Sequence, residues 1–391
     1  MAPTRPGTGA GFAASFEAEG GKMWVRLFER MATNVVQLGT LHTVLPNKKE
    51  MTFGTGNAPI VRIHINDWAT VRRMAFRPEF ALGEAYMTRA LTIQDDDLYG
   101  LLELAIRNRA HGVAAAWFQI PFRILQSSLR RIAQFNPVAK AQKNVAHHYD
   151  LSGELYDLFL DKDRQYSCAY FRSPDDTLEQ AQENKKHHIA KKLRLSEGQS
   201  VLDIGCGWGG LAITLARDYG VRVVGVTLSK EQHAVATKRV KNAGLQDRVD
   251  IRLQDYRHIH ETFDRVVSVG MFEHVGVPHY DEYFGQVRQL LADNGIALIH
   301  TIGRSSPPAT TNPWITKYIF PGGYCPALSE TTRSIEDQQL IAADIEIWRL
   351  HYAETLAHWH RRFLRHQHEI QALYDDRFCR MWRFYLVSSE L

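Results

Sequence analysis

The run Val201-Leu202-Asp203-Ile204-Gly205-Cys206-Gly207-Trp208-Gly209-Gly210 narrows the folds open to this chain more than any other stretch. Val201 to Ile204 is short and apolar, as a buried strand requires, and it breaks into glycines that lead into a helical pattern, Leu211 to Tyr219. Such a turn sets backbone N–H groups at a helix N-terminus, and Gly205 and Gly207 let a ligand approach with no Cβ in the way. The spacing Gly205-x-Gly207-x-x-Gly210 fits a dinucleotide fingerprint, which then needs an Asp or Glu about 20 residues on, at the tip of the next strand. That strand, Val221 to Val226, runs into Thr227-Leu228-Ser229-Lys230-Glu231-Gln232 without a carboxylate at its tip. A P-loop is excluded too, since no Gly-Lys-Ser/Thr follows the glycines. What remains is a small adenosine-type ligand without a polyphosphate, gripped by the turn with Asp203 just upstream. That is the S-adenosylmethionine pattern.

Around this stretch, from His147 onward, strands and helices alternate. Thr177 caps a helix with Gln180 as its capping-box partner, and the cluster Lys185-Lys186-His187-His188 on it reads as a solvated face. Strands follow at Val249–Leu253, Phe263–Val269 and Gly295–Ile302, with helices over Lys230–Ala243 and Tyr280–Leu291. The alternation implies a mainly parallel sheet with ligands at the carboxyl ends of its strands. The residues to inspect are therefore Gly205 to Gly207, Thr227, Asp255, Glu273 and His300.

Upstream, 23–111 reads as a smaller α+β unit, with a hairpin around Pro46-Asn47, a strand at Ile60–Ile65 and helices over Met23–Val36, Asp67–Phe76, Ala81–Ala90 and Asp96–Arg107. Residues 1–22 are Gly/Ala/Pro-rich without a signal-peptide core and read as a mobile tail. The connector, 112–146, belongs to a stretch between Glu103 and Asp150 with no carboxylate, which carries Arg107, Arg109, Arg123, Arg130, Arg131, Lys140 and Lys143. Phe118, Phe122, Leu125, Leu129 and Ile132 recur there at helical spacing. A basic helix with such a stripe suits an anionic bilayer, while packing between domains is the plainer reading. Nucleic acid fits the charge, but no recognised module accompanies it.

Whole-chain numbers exclude little more. With 391 residues, 45% apolar and 23% charged, the chain is an ordinary globular one of two domains. No run approaches the ~18 apolar residues of a membrane span. Cys168, Cys206, Cys325 and Cys379 lack CxxC spacing, so neither a metal site nor a disulfide framework is indicated, and the cytoplasm is the default compartment.

Taken together, these residues resemble the cyclopropane-fatty-acyl-phospholipid synthase family of S-adenosylmethionine-dependent methyltransferases. The resemblance rests on His148-Tyr149-Asp150, Gln165 to Tyr170, Val201 to Gly210, Gly225 to Ser229 with Gln232, and Gln254 to Arg257. It continues through Met271 to Gly276, His300 to Gly303, Trp314 with Lys317 to Gly322, and His351-Tyr352 with Thr355-Leu356. It implies a Rossmann-like methyltransferase domain over 147–391, a lipid-facing N-terminal α+β domain and a helical connector. Cofactor binding is implied for Tyr166, Ser167, Asp203, Gly205, Cys206, Gly207, Gly209, Thr227, Ser229, Gln232, Asp255 and Tyr256. Gln232 would take the role of the missing ribose carboxylate. A bicarbonate ion is implied at Cys168, Glu273, His300, Ile302 and Tyr352, with the backbone N–H groups of Cys168 and Ile302 contributing.

The chemistry asks for such groups. An isolated cis alkene is a poor nucleophile and must meet the sulfonium methyl with water kept out. Aromatic faces stabilise the resulting cation without attacking it, and a small fixed base removes the proton whose loss closes the ring. Trp314, Tyr318, Phe320 and Tyr324 suit the lining of an acyl channel. Taken singly, each site residue has a plain explanation: Cys168 a small buried hydrophobe, His300 a core histidine, Glu273 a turn cap, Tyr352 a core tyrosine.

The expected activity is cyclopropanation of unsaturated acyl chains in an anionic phospholipid bilayer, by a cytoplasmic protein peripheral on the inner face of the membrane. Methylene- or methyl-branched products need the same methyl transfer, and a non-catalytic membrane-binding relative is the alternative of another class. A homodimer stays open. The family pattern continues past the position of Leu391, so either a shortened chain or a sheet without its last edge strand is expected, and no role falls to Ser389, where the family has a cysteine.

Overall fold

The computed structural model describes residues 9–110 and 152–391. The connector expected at 112–146 and the motif His148-Tyr149-Asp150 lie outside them.

The N-terminal unit opens with helix α1 (Gly9–Val35), so the stretch read as a mobile tail through residue 22 is helical from Gly9 onward. Ala13, Ala14, Glu17, Ala18 and Glu19 are good helix formers, and no proline follows Pro6 in this segment. Strands β1 (Thr40–Val44), β2 (Glu50–Gly54), β3 (Ile60–Ile65) and β4 (Leu91–Ile93) form a sheet of order β2-β1-β3-β4. β1 and β2 are the expected hairpin, while β1 and β3 run parallel. β3 alternates as a half-buried strand should, with Val61, Ile63 and Ile65 inward. Helix α2 (Trp68–Phe76) starts where Asp67 Oδ1 accepts the Thr70 N–H at 2.7 Å, and α3 (Pro78–Met87) has proline at its first position. Helix α4 (Leu98–Ala110) closes the unit.

The C-terminal unit begins with α5 (Gly153–Phe159) and α6 (Leu178–Lys192), the latter carrying the expected Thr177–Gln180 capping box. Then come β5 (Ser200–Ile204), α7 (Gly210–Tyr219), β6 (Arg222–Thr227), α8 (Lys230–Asn242), β7 (Val249–Leu253) and β8 (Phe263–Val269). Helix α9 (Tyr280–Leu290) leads into β9 (Leu291–His300). All neighbours are parallel in the order β7-β6-β5-β8-β9. The chain winds outward from β5 through β6 to β7, then returns to the other side of β5 for β8 and β9. The order thus reverses at β5, and the crevice beyond its carboxyl end is where such sheets bind ligands. β5 has four successive buried residues, as a central parallel strand needs.

Five helices complete the chain: α10 (Pro313–Tyr318), α11 (Leu328–Asp337), α12 (His351–Arg365), α13 (Gln367–Leu373) and α14 (Asp376–Glu390). One apolar core runs from the N-terminal sheet into α12 and α14, from Phe28 and Val61 to Trp359 and Leu386. Polar clamps fix α14 against α3 and the turn after it: Arg380 Nε donates to the Tyr86 carbonyl at 2.6 Å, and Arg89 Nε to Asp376 Oδ2 at 2.8 Å.

Candidate active site

The glycine turn does what its sequence implies. Gly205 has φ +82, and a Cβ there would stand 3.0 Å from Met271 Cβ, so glycine is required twice over. The N–H groups of Gly205 and Cys206 both donate to the Val226 carbonyl at 3.0 Å, tying the turn to β6. A cavity opens at the carboxyl end of β5. Of the twelve residues expected to bind the cofactor, Tyr166, Ser167, Asp203, Gly205, Cys206, Gly207, Thr227, Gln232, Asp255 and Tyr256 line it. Gly209 and Ser229 stand behind it. Gly209 packs on Ala236, and Ser229 Oγ caps α8 by accepting the Gln232 N–H at 3.3 Å.

The polar groups of this cavity are held in place. Thr227 Oγ1 donates to Gln232 Oε1 at 2.8 Å. Burial works to raise the pKa of Asp255, but the hydrogen bonds of Arg257 outweigh it and hold the carboxylate below its usual range. Asp203 is 1% exposed, and its Oδ2 is buried without a partner. Burial alone pushes this carboxyl up to about 7. A buried acceptor left open beside a glycine cradle fits a ligand that brings its own donor, and S-adenosylmethionine carries an ammonium.

Next to the cavity lies a second group. Glu273, in the turn Phe272–His274 after β8, accepts the Ile302 N–H through Oε1 at 2.7 Å. Ile302 therefore serves first to lock Glu273, and its N–H, expected to point at an anion, is already engaged. Glu273 Oε2 and the neighbouring Thr301 Oγ1 are both buried and neither has a partner in full hydrogen-bonding geometry, although the Thr301 hydroxyl stands close enough to the carboxylate to work against the effect of burial. Burial raises the Glu273 pKa. His300, the last residue of β9, has a buried, unpartnered Nδ1, and burial brings its imidazole down to about 3. The ring packs on Trp348 at 4.7 Å between centroids. Cys168 is buried with its thiol pushed up to about 12, so it stays protonated. The next residue, Ala169, donates its N–H to Thr355 Oγ1 at 3.0 Å, which pins this segment to α12.

The Tyr352 hydroxyl sits close to that of Tyr385 on α14, and Tyr385 Oη is 3.1 Å from Tyr166 Oη. Burial raises the pKa of all three phenols, which remain protonated. Tyr385 thus joins a residue of the cofactor cavity to one of the expected base site. Trp359 faces Tyr166 at 5.2 Å and Tyr352 at 6.3 Å, and Phe320 faces Tyr385 at 5.5 Å. These rings wall the site.

Two further expectations need correcting. Lys185 and Lys186 are 1% and 4% exposed, not a solvated face. Leu178, Ala181, Gln182, Lys185 and Ile189 follow the spacing of a buried helical stripe, a signal hidden by the run of charged letters. Lys185 Nζ donates to Ser167 Oγ at 2.7 Å, while Lys186 Nζ pairs with Asp163 at 2.9 Å. Second, the aromatic segment does not line one channel. Trp314 is buried against Gly83 and Phe384, and Tyr318 donates to Glu84 Oε1 at 2.6 Å, so both bind the N-terminal unit. Tyr324 donates its hydroxyl to Glu330 at 2.6 Å and its N–H to the Glu273 carbonyl at 2.9 Å, and Phe320 reaches the tyrosine cluster. Sequence reasoning missed Tyr385 entirely, because nothing within its own helix marks it.

Residues 137–391 match the family model of mycolic acid cyclopropane synthetase, and 24–114 match a domain of unknown function. A probable fatty acid methyltransferase of Pseudomonas putida is 46% identical over 252 residues, 62% of this chain and 64% of its own. The chain therefore spans just under two thirds of that relative's length. The cyclopropane-fatty-acyl-phospholipid synthase of Escherichia coli is 40% identical over 334 residues, 85% of this chain and 84% of its own. Among solved structures, the cyclopropane synthase MmaA2 from Mycobacterium tuberculosis superposes with a TM-score of 0.61 at 32% identity, covering 66% of this chain and 93% of its own. The mycolic acid cyclopropane synthase CmaA1, complexed with SAH and CTAB, gives 0.61 and 32% over 66% and 94%.

Proposed function

Because the chain belongs to the mycolic acid cyclopropane synthetase family and is an S-adenosylmethionine-dependent lipid methyltransferase, we propose that it closes cyclopropane rings on cis double bonds of unsaturated phospholipid acyl chains, with bicarbonate as the base. The observation that carries the base assignment is the pair of open polar atoms beside the cofactor cavity, Glu273 Oε2 and His300 Nδ1, both buried without partners. Such groups are costly unless a ligand completes them.

When bound, S-adenosylmethionine supplies an electrophilic methyl group and bicarbonate a proton acceptor. The chain's own residues do the rest. Asp203 and the Gly205 turn hold the cofactor, with Tyr166 and Ser167 closing over it. Tyr166, Tyr352, Tyr385, Trp359 and Phe320 exclude water and offer π faces to the positive charge that develops on the acyl chain. Tyr352 keeps its proton and donates a hydrogen bond, and neutral His300 orients the base without adding charge. Glu273, steadied by Ile302, accepts a hydrogen bond from the base. Cys168 stays a thiol and forms no covalent intermediate.

The relatives act on lipids, and no helix among the described residues is long and apolar enough to cross a membrane. We assign bilayer contact to the N-terminal unit and to the basic stretch at 112–146, with the protein peripheral on the cytoplasmic face. The test is turnover on anionic vesicles of unsaturated phospholipid, with and without bicarbonate, with mass analysis of the acyl chains. Ring formation that depends on bicarbonate supports the proposal. Branched chains would move the assignment to a methyl- or methylene-adding relative, and rings formed equally in carbonate-free buffer would remove bicarbonate from it.

A further inference from the structure

Among the described residues that line the cofactor cavity is a buried cation that the chemistry above does not use. Lys185 lines the cofactor cavity from α6, and its ammonium meets a single hydrogen-bond partner among the described residues, the neutral hydroxyl of Ser167 at 2.7 Å. No carboxylate among those residues comes within 4.0 Å of it. Its neighbour Lys186 shows the contrast, being paired with Asp163 at 2.9 Å and Glu183 at 2.7 Å. Asp161 and Asp163 act on it from further off, but Asp161 spends its two oxygens on the N–H groups of Gln165 and Asp163, at 2.8 and 3.0 Å, and Asp163 is paired with Lys186 and Arg239, so burial still brings the Lys185 ammonium down to about 8. A lysine charge this deep is unfavourable unless something negative stands beside it. From the cavity wall its charge acts on both Cys168 and His300, two residues of the proposed base site. There, Glu273 Oε2 and His300 Nδ1 are themselves open, and none of the five residues expected around the anion carries a positive charge at neutral pH.

We infer that Lys185 is the counter-charge of a bound carboxylate-type anion, supplied either by the methionine end of the cofactor or by bicarbonate. The inference rests on the reading of the site given above. Ser167 then has a second role, holding the ammonium in line through its hydroxyl, and Gln182 braces the same loop by donating to the Gln165 and Ser167 carbonyls at 3.2 and 3.0 Å.

Calorimetry with S-adenosylhomocysteine and with its decarboxylated analogue separates the two sources. If the cofactor carboxylate is the partner, Lys185→Met weakens S-adenosylhomocysteine by roughly tenfold to a hundredfold and leaves the analogue unchanged, as loss of one charge-assisted hydrogen bond requires. If bicarbonate is the partner, both ligands bind as before and half-maximal ring formation needs about tenfold more bicarbonate or beyond. Lys185→Gln keeps a donor for Ser167 but no charge, and it must show the same defect, which also decides the matter if the methionine variant does not fold. Wild-type behaviour of the glutamine variant in both assays overturns the inference, because the hydrogen bond rather than the charge would then matter. A wild-type chain that binds no S-adenosylhomocysteine overturns instead the reading of the site itself.

Discussion

Replacing Glu273 by glutamine separates stability from catalysis. The carboxyl uses Oε1 to accept the Ile302 N–H at 2.7 Å, and the glutamine carbonyl can keep that bond. Oε2, buried and open, becomes an NH2 group. The change therefore turns an acceptor at the proposed base site into a donor, while the bond to Ile302 is kept. Hydrogen bonds to charged groups contribute about 1.5–3 kcal/mol, and about 1.4 kcal/mol is a factor of ten, so turnover should fall about ten- to a hundredfold. Burial already raises the carboxyl's pKa, which means that the ionised side chain is unfavourable where it sits. Glu273→Gln should accordingly melt at or above the wild-type temperature. Glu273→Ala abandons the Ile302 N–H and should lose about 1–3 kcal/mol as well as activity. Labelled-methyl incorporation into unsaturated vesicles, calorimetry with S-adenosylhomocysteine and thermal melts provide the readouts. A glutamine variant that turns over within about twofold of wild type, or that is destabilised as much as the alanine variant, would refute the reasoning.

Three other substitutions probe neighbouring groups. Cys168→Ser should retain most of its activity, since a thiol pushed up to about 12 is no nucleophile; near-total loss in the vesicle assay would contradict this. Tyr385→Phe removes the hydroxyl that sits 3.1 Å from that of Tyr166 and beside that of Tyr352, so melts should show a loss of about 1–3 kcal/mol and turnover should fall more than cofactor affinity. Asp203 is held up to about 7 by burial, so the folded chain keeps a proton that the unfolded chain releases above about pH 4, and this carboxyl costs stability as the pH rises toward 7. Asp203→Asn should be more stable than wild type by about 2–4 kcal/mol near pH ~8, with the gap narrowing below pH ~7 and closing toward pH ~4; a pH-independent gap in the melts would count against it.

Much of the C-terminal architecture was readable because it is written in local patterns. A buried run, a glycine turn and a 3.6-residue period each declare themselves within about ten residues, and β5, its turn and α7 stand where those patterns put them. The Thr177–Gln180 cap is equally local. Asp203, Gly205 to Gly207, Thr227 and Asp255 were legible for a related reason: in a parallel sheet, the switch point puts strand ends in one crevice, whereas Tyr166, Ser167, Gln232 and Tyr256 were implied only by the family resemblance.

What the letters did not carry was the environment each side chain meets after the chain closes. Lys185 reads as a surface lysine until α6 is laid against the segment that holds Ser167. Trp314 reads as a channel ring until α10 docks on Gly83 of the N-terminal unit. Tyr385 meets Tyr166 across 219 residues of sequence, a distance no periodicity spans. Sequence alone determined the order of elements and the ligand-binding turn, because backbone geometry and hydrophobic period act over a few residues. Tertiary structure alone decided which charges are buried and which phenols converge, because desolvation and hydrogen bonding depend on neighbours that only packing supplies.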